Sequence, residues 1–281
     1  MSDFAPPLPP MGGAGTLASA LLTLRRAGRG MPSADLRHFR VPPLDAAHVA
    51  TYRDALGFDG PEVPLTYLYL LAQRSHLALM LDAGFPYPVP GVVHVANDLA
   101  WDPGVAGWRA DRPGVIEAGV ASEPPTSSGA CFLTLHARLL QEDRIVARCG
   151  SRYLARRGSR RGAPNTAGPP SPPTGTEVGR YALSADAGRR YAKVSGDANP
   201  IHLWPWSARL LGFSRPIIHG MHTVARIAAE MERGTGASLR RIDARFVKPV
   251  PIPGEVVLYA DAGCVQAWSG GVLAAEAACE F

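Results

Sequence analysis

Apolar residues recur at helical spacing through Met221, Val224, Ala225, Ile227, Ala228 and Met231, which predicts a helix with one buried stripe. A period of two follows it. Ile242, Ala244 and Phe246 alternate with Arg241, Asp243 and Arg245, the pattern of a half-buried strand. Two further extended runs, GEVVLYADAG and VLAAEAACEF, complete this region. Ahead of the stripe lie a short segment, VGRYALS, and a helix predicted to open with Ser184 as N-cap and to close at Gly196.

The first half of the chain repeats this order. VPPLDAAHVATYRDALGF reads as a helix, a longer helix begins at Pro64, and the extended runs GVVHVANDLAWDPG, ACFLTLHARLL and DRIVARCGSRYL follow. The long helix carries Gln73, Arg74, Ser75 and His76 at the centre of its apolar run, so it reads as a core helix and not as a membrane span. Setting LDAAHVATYRDALGFDGP against SADAGRRYAKVSGDANPIH, with Asp45 opposite Asp186, places Leu56 opposite Asp197 and Pro61 opposite His202. The first half keeps the frame and lacks the polar groups. A helix followed by several antiparallel strands, met twice, predicts an α+β fold of two modules, each a long helix on a curved sheet. The boundaries expected are an N-terminal extension over 1–35, a first module over 36–155, a linker over 156–176 and a second module over 177–281.

Composition narrows the class. The 281 residues are 46% hydrophobic and 19% charged, the profile of a globular protein. The start, MSDFAPPLPPMGGAG, has no basic stretch before the short apolar segment LASALLTL, and Arg25 and Arg26 fall on its far side, so no secretory leader is expected and the location read is cytoplasmic. Cys131, Cys149, Cys264 and Cys279 form neither a CxxC pair nor a set with histidines at metal-ligand spacing, and they read as buried free thiols in a reducing compartment. Much of the net charge of +5 sits in RYLARRGSRRGAPNTAGPPSPPTGTE, a Pro- and Gly-rich stretch with few aromatic residues. It reads as a solvated linker, with neither nucleic acid nor membrane expected as a partner. A small molecule bearing phosphate remains compatible with that charge.

The candidate chemistry lies in YAKVSGDANPIHLWPWSA. Asp197 and His202 are five positions apart, which is wrong for neighbours on one helix face. Gly196 can turn the chain sharply through positive φ, and Pro200 excludes Asn199 from helical conformation, so the spacing is read around a tight loop. Asp197, Asn199 and His202 can then converge, with Asn199 satisfying backbone groups or positioning a water. The residues alone leave two readings open: an acid/base pair sharing a water, or a capping aspartate beside a satisfied core histidine.

The stretch from Tyr191 to Ala208 resembles the signature of the MaoC-like (R)-specific enoyl-thioester hydratases, also called hydratase 2, through Tyr191, Val194, Ser195, Gly196, Asp197, Asn199, Pro200, Ile201, His202 and Ala208. IIHGM resembles the start of that family's central helix, and RFVKPV its next strand. The first half, with VPLTYLYL and GVVHVANDL, is similar to the inactive leading half of double hot-dog members such as the actinobacterial 3-hydroxyacyl-thioester dehydratases. The resemblance implies a double hot dog, a pseudo-dimer within one chain that leaves further homodimerisation open. It implies reversible hydration of trans-2-enoyl thioesters to (R)-3-hydroxyacyl thioesters in fatty-acid or related acyl metabolism. The substrate would be carried on coenzyme A or an acyl carrier protein, and no cofactor or metal is required. Carried over, Asp197 and His202 are the catalytic pair, Asn199 helps to orient them, and the N–H of Gly220 contacts the thioester carbonyl. Within the same resemblance His219 reads as structural, and Arg245 and Lys248 either meet the phosphates of the thioester carrier or form an ordinary outward strand face. The bulky Trp204, Pro205 and Trp206 depart from the pattern and bear on acyl or pantetheine preference. The rival readings are a hot-dog thioesterase and a non-catalytic acyl-thioester binding protein.

Overall fold

The computed structural model describes residues 5–10, 14–26, 28, 30, 32–33, 35–156 and 172–281. Most of the Arg/Pro/Gly-rich linker, residues 157–171, and parts of the N-terminal extension lie outside the described residues. In chain order the elements are α1 (Ala14–Leu22), β1 (Arg37–Val41), α2 (Ala46–Leu56), α3 (Leu68–Leu81), β2 (Val93–Trp101), β3 (Gly114–Ser122), β4 (Cys131–Gln141) and β5 (Arg144–Arg156). Then follow β6 (Thr176–Leu183), α4 (Ala187–Ser195), α5 (Pro205–Leu210), α6 (Gly220–Thr235), β7 (Arg241–Phe246), β8 (Gly254–Asp261), β9 (Cys264–Ser269) and β10 (Val272–Glu280).

Two compact units emerge, one from the described parts of Met1–Leu44 and Leu68–Pro169, the other from Asp45–Tyr67 and the described parts of Pro170–Phe281. The strands of the first unit pair antiparallel in the order β1-β3-β4-β5-β2, with α3 against β3 and β4. Those of the second pair in the order β6-β8-β9-β10-β7, with α6 against β10 and β6. Counted within each unit, both orders run first, third, fourth, fifth, second. Each unit is a hot dog, an antiparallel sheet around one long helix, and the fold is α+β.

The helical stripe of the second unit is its core. Val224, Ala225, Ile227 and Ala228 of α6 are buried, and burying a side chain such as Ile227 contributes roughly 1.5–3 kcal/mol. The alternation in β7 is also found, with Ile242 and Ala244 buried and Arg241 and Arg245 exposed. Three strands were not evident from the pattern: β1, β3 and β9. β9 is six residues long and tightly bracketed by the turns at Gly263 and Gly270–Gly271, all at positive φ. β3 alternates in burial from Gly114 to Ala118, but apolar or small residues such as Val115 and Gly119 stand on both faces and hide the period in the sequence.

The second unit includes a helix from the chain's first half. α2 starts after Asp45, whose carboxylate accepts from the N–H of Ala47 (2.9 Å), and ends at Gly57 with φ 79°. α4 likewise starts after Asp186 and ends at Gly196 with φ 76°. The cap expected at Ser184 is therefore displaced to Asp186: the Ser184 hydroxyl donates to the Asp186 carboxylate, and its carbonyl accepts from Ala187, which winds a turn ahead of the helix. His48 of α2 donates from Nε2 to the carbonyl of Val194 (2.9 Å) and Arg226 of α6 donates to the carbonyl of Leu56 (2.9 Å), so α2 is bonded to both α4 and α6. All four cysteines are free; Cys131, Cys149 and Cys279 are buried as expected, whereas Cys264, beside the turn that opens β9, is exposed. Among the described residues, no helix is long and apolar enough to cross a membrane.

Candidate active site

The loop after α4 is assembled almost wholly from local hydrogen bonds. Gly196, at φ 76° and ψ −2°, closes the helix by donating to the carbonyl of Ala192. Asp197 then accepts at Oδ1 from the N–H of Asn199 (3.1 Å), while its own N–H donates to the Ser195 hydroxyl (3.1 Å). Asn199, held at φ −59° and ψ 123° ahead of Pro200, accepts at Oδ1 from the N–H of Ile201 (3.3 Å). That bond caps a 3-10 turn, Pro200–His202, which delivers His202 to the protein interior. The Asn199 side-chain oxygen thus shapes the loop, one of the two roles read for it.

Long-range contacts then aim the imidazole. Ile217 donates its N–H to the carbonyl of Ile201 (3.2 Å) and, with its own carbonyl, accepts from His202 Nδ1 (2.8 Å). A proton on Nδ1 leaves Nε2 with its lone pair, the tautomer a general base requires. His219, the cap residue of α6, donates from Nε2 to the backbone carbonyl of Asp197 (2.9 Å) and stacks its ring on that of His202, centroids 3.6 Å apart at 28°. The side-chain donor atoms of Asp197, His202 and His219 lie within 4.8 Å of one another. His219, read from the sequence as structural, therefore touches both members of the pair; the nearest signal was its place directly before Gly220.

Electrostatics keep the histidines neutral. Burial pushes His202 down to about 3, the neighbouring His219 adds to this, and Asp197 and the Ile217 carbonyl oppose it. Burial likewise lowers His219, against the carboxylate and carbonyl of Asp197. The Tyr191 phenol, buried with its ring 4.9 Å from that of His219, is pushed well above its ordinary value by burial, with smaller contributions from Tyr52 and Asp197. Asp197, His202 and His219 are also the only metal-type cluster found among the described residues. Each imidazole bonds a carbonyl through one nitrogen, His202 through Nδ1 and His219 through Nε2, and the two rings stack 28° from parallel.

Two glycines are dictated by the packing around this loop. A Cβ on Gly188 of α4 would lie 2.0 Å from the carbonyl oxygen of His202, and one on Gly220 would lie 2.6 Å from the ring of Phe246. Gly220 is the first residue of α6, where N–H groups lack intrahelical partners and the helix dipole is positive. The remaining sequence candidates sit on the surface. Arg245 is exposed on β7 and paired with Glu276, and Lys248 is exposed just beyond the strand. Trp204 and Trp206 are exposed as well. At the aligned positions of the first half, Leu56 is buried at the end of α2 and Pro61 is exposed in a turn, neither with a proton to transfer.

Residues 169–272 match the family described as the MaoC like domain. The matched span contains Asp197, Asn199, His202, His219 and Gly220, all the groups gathered at the site. Beyond the domain, the chain is 29% identical over 268 residues to 3-hydroxyacyl-thioester dehydratase X of Mycobacterium tuberculosis, an alignment covering 88% of this chain and 91% of that protein. The crystal structure of HtdX of Mycobacterium tuberculosis superposes with a TM-score of 0.71 at 25% identity, over 87% of this chain and 99% of that one. A MaoC-like dehydratase from Phytophthora capsici, at 15% identity and a TM-score of 0.69 over 88% and 96% of the two chains, shares the fold. The matched span thus lies within a two-unit chain of which 87–88% is covered by the relative and the two solved structures named above.

Proposed function

We propose that this protein is a hydro-lyase that interconverts trans-2-enoyl thioesters and (R)-3-hydroxyacyl thioesters in acyl metabolism. The observation that carries this reading is the convergence of the Asp197 carboxylate and the buried His202 imidazole within 4.8 Å, beside the first turn of α6. In the hydration direction, neutral His202 takes a proton at Nε2 from a water whose oxygen bonds to C3. Electron density moves onto the thioester oxygen, where the N–H of Gly220 stabilises it. The imidazolium returns its proton to C2, so one water is added and the pair ends as it began. Asp197 orients the water and stabilises the transient imidazolium, and Asn199 maintains the loop that brings the two together. His219 serves as a positioning residue through its bond to Asp197 and its stack on His202.

The thioester carrier is coenzyme A or an acyl carrier protein, and Lys248 is the better placed of the two phosphate candidates because Glu276 already matches the charge of Arg245. Free cysteines, and the absence of any helix able to span a membrane among the described residues, support a cytoplasmic location. The test is loss of the conjugated enoyl-thioester absorbance with crotonyl-CoA, followed by chiral analysis of the product. The (R)-3-hydroxy thioester is the expected result. Release of free coenzyme A thiol without hydration would make the protein a thioesterase, and binding without either reaction would make it an acyl-thioester carrier.

A further inference from the structure

The segment LWPWSARLLGFSR, Leu203 to Arg215, follows His202 directly and contains no acidic residue; the next acid in the chain is Glu230. Its helix, α5, is turned inside out for a surface element. Ser207 and Ala208 face inward: Ala208 is fully buried, and the Ser207 hydroxyl donates to the carbonyl of Pro200 (2.7 Å). Trp206, Arg209 and Leu210, spaced i, i+3 and i+4, share the opposite face. There Trp206 is 64% and Leu210 79% exposed, flanked by Trp204 at 45% and Leu211 at 46%. Four large apolar side chains are thus exposed within eight residues, unlike the single apolar residues that any surface scatters, and they form an apolar ridge. Its polar accompaniment is cationic. Arg189 lies over the Trp204 ring (4.2 Å) and bonds the carbonyl of Leu203 (2.9 Å), Arg209 shares the exposed face, and Arg215 ends the segment, exposed.

We infer that this ridge docks the protein on an anionic lipid surface. Tryptophan and leucine on a short projecting face, with arginines beside them and no carboxylate in the segment, match the boundary between acyl chains and negatively charged headgroups. Two copies of so cationic a ridge would repel each other, which disfavours self-association through it. The sequence reading excluded a membrane partner from the lack of a span; surface docking needs no span. The inference is independent of the proposed reaction.

The full chain is tested by co-sedimentation with vesicles of phosphatidylcholine alone and of phosphatidylcholine with added phosphatidylglycerol. Binding to the anionic vesicles, weakened by salt, is expected. The double variant Trp206→Ser with Leu210→Ser lowers it by at least about tenfold. Arg209→Glu lowers it by about fivefold or more, and, as a single surface change, keeps the test valid if the double variant does not fold. Turnover on crotonyl-CoA, a water-soluble substrate, stays within about twofold of wild type in Arg209→Glu. Absence of vesicle binding, equal binding to neutral and anionic vesicles, or unchanged binding by the variants overturns the inference. So does a wild-type dimer that the double variant dissociates, which would identify a second copy as the occupant, or binding to an acidic carrier protein in place of vesicles.

Discussion

Gly188→Ala is the sharpest test of how the site is held. The added Cβ would stand 2.0 Å from the His202 carbonyl oxygen, 3.0 Å from its carbon and 3.3 Å from Cδ1 of Ile252. Ordinary contact begins near 3.4 Å, so α4 and the 3-10 turn bearing His202 must separate by about 1.4 Å, and the obstacle is backbone with no rotamer to yield. The imidazole moves with its backbone, away from the Ile217 carbonyl that sets its tautomer. Misplacement on the order of 1 Å costs about a hundredfold in rate, and overpacking of this kind costs roughly 1–3 kcal/mol of stability. Steady-state kinetics on crotonyl-CoA and thermal unfolding read both effects. Gly234→Ala is the control: it lies in the last turn of α6 with open space around it, and the change should leave kcat/KM unchanged and alter stability by less than about 1 kcal/mol. A Gly188→Ala enzyme within threefold of wild type and with unchanged Tm would refute the close approach of α4 to His202.

Asp197→Asn and His202→Ala should each lower kcat by about two to four orders of magnitude while a 3-hydroxyacyl thioester still binds by calorimetry; near-normal turnover in either would remove that residue from the chemistry. At His219, glutamine retains an N–H for the Asp197 carbonyl, whereas phenylalanine keeps only the ring. His219→Phe should therefore lose about tenfold or more in kcat with little change in KM, and His219→Gln should lose less; a larger loss in His219→Gln than in His219→Phe would assign the effect to stacking and not to the bond. His202 and His222 both have folded values of about 3, below the ordinary 6.5, so the unfolded chain binds more protons and stability is complete above pH 6.5 and falls towards pH 3. At pH 5 the two together forfeit at most about 4 kcal/mol, measurable as a drop in the urea midpoint; midpoints that stay constant from pH 7 to pH 5 would mean these histidines are not buried neutral.

Local chemistry made the central loop legible before any coordinates. Gly196 at the end of a helix and Pro200 after Asn199 restrict the backbone whatever surrounds them, so the turn bringing Asp197 and His202 together was readable, as were the stripe of α6 and the alternation of β7. The repeat was readable too, because Asp45 and Asp186 each precede a helix that ends in a left-handed glycine. Other features depend on partners far along the chain. β3 and β9 could not be distinguished because one carries apolar or small residues on both faces and the other is six residues long between turns. His219 lies well beyond His202 in sequence, and long-range bonds bring the two rings into contact: Ile217 N–H to the Ile201 carbonyl, His202 to the Ile217 carbonyl and His219 to the Asp197 carbonyl. The need for glycine at 188 arises from the carbonyl of a residue on another element, and the membership of α2 in the second unit from its bonds to Val194 and Arg226. That Trp204 and Trp206 are exposed was not readable from the string either, since it follows from which face of α5 buries Ser207 and Ala208. Torsional preference and periodicity act over a few residues and can be read from the string; which side chains share a point in space is decided by long-range pairing, and that required the fold.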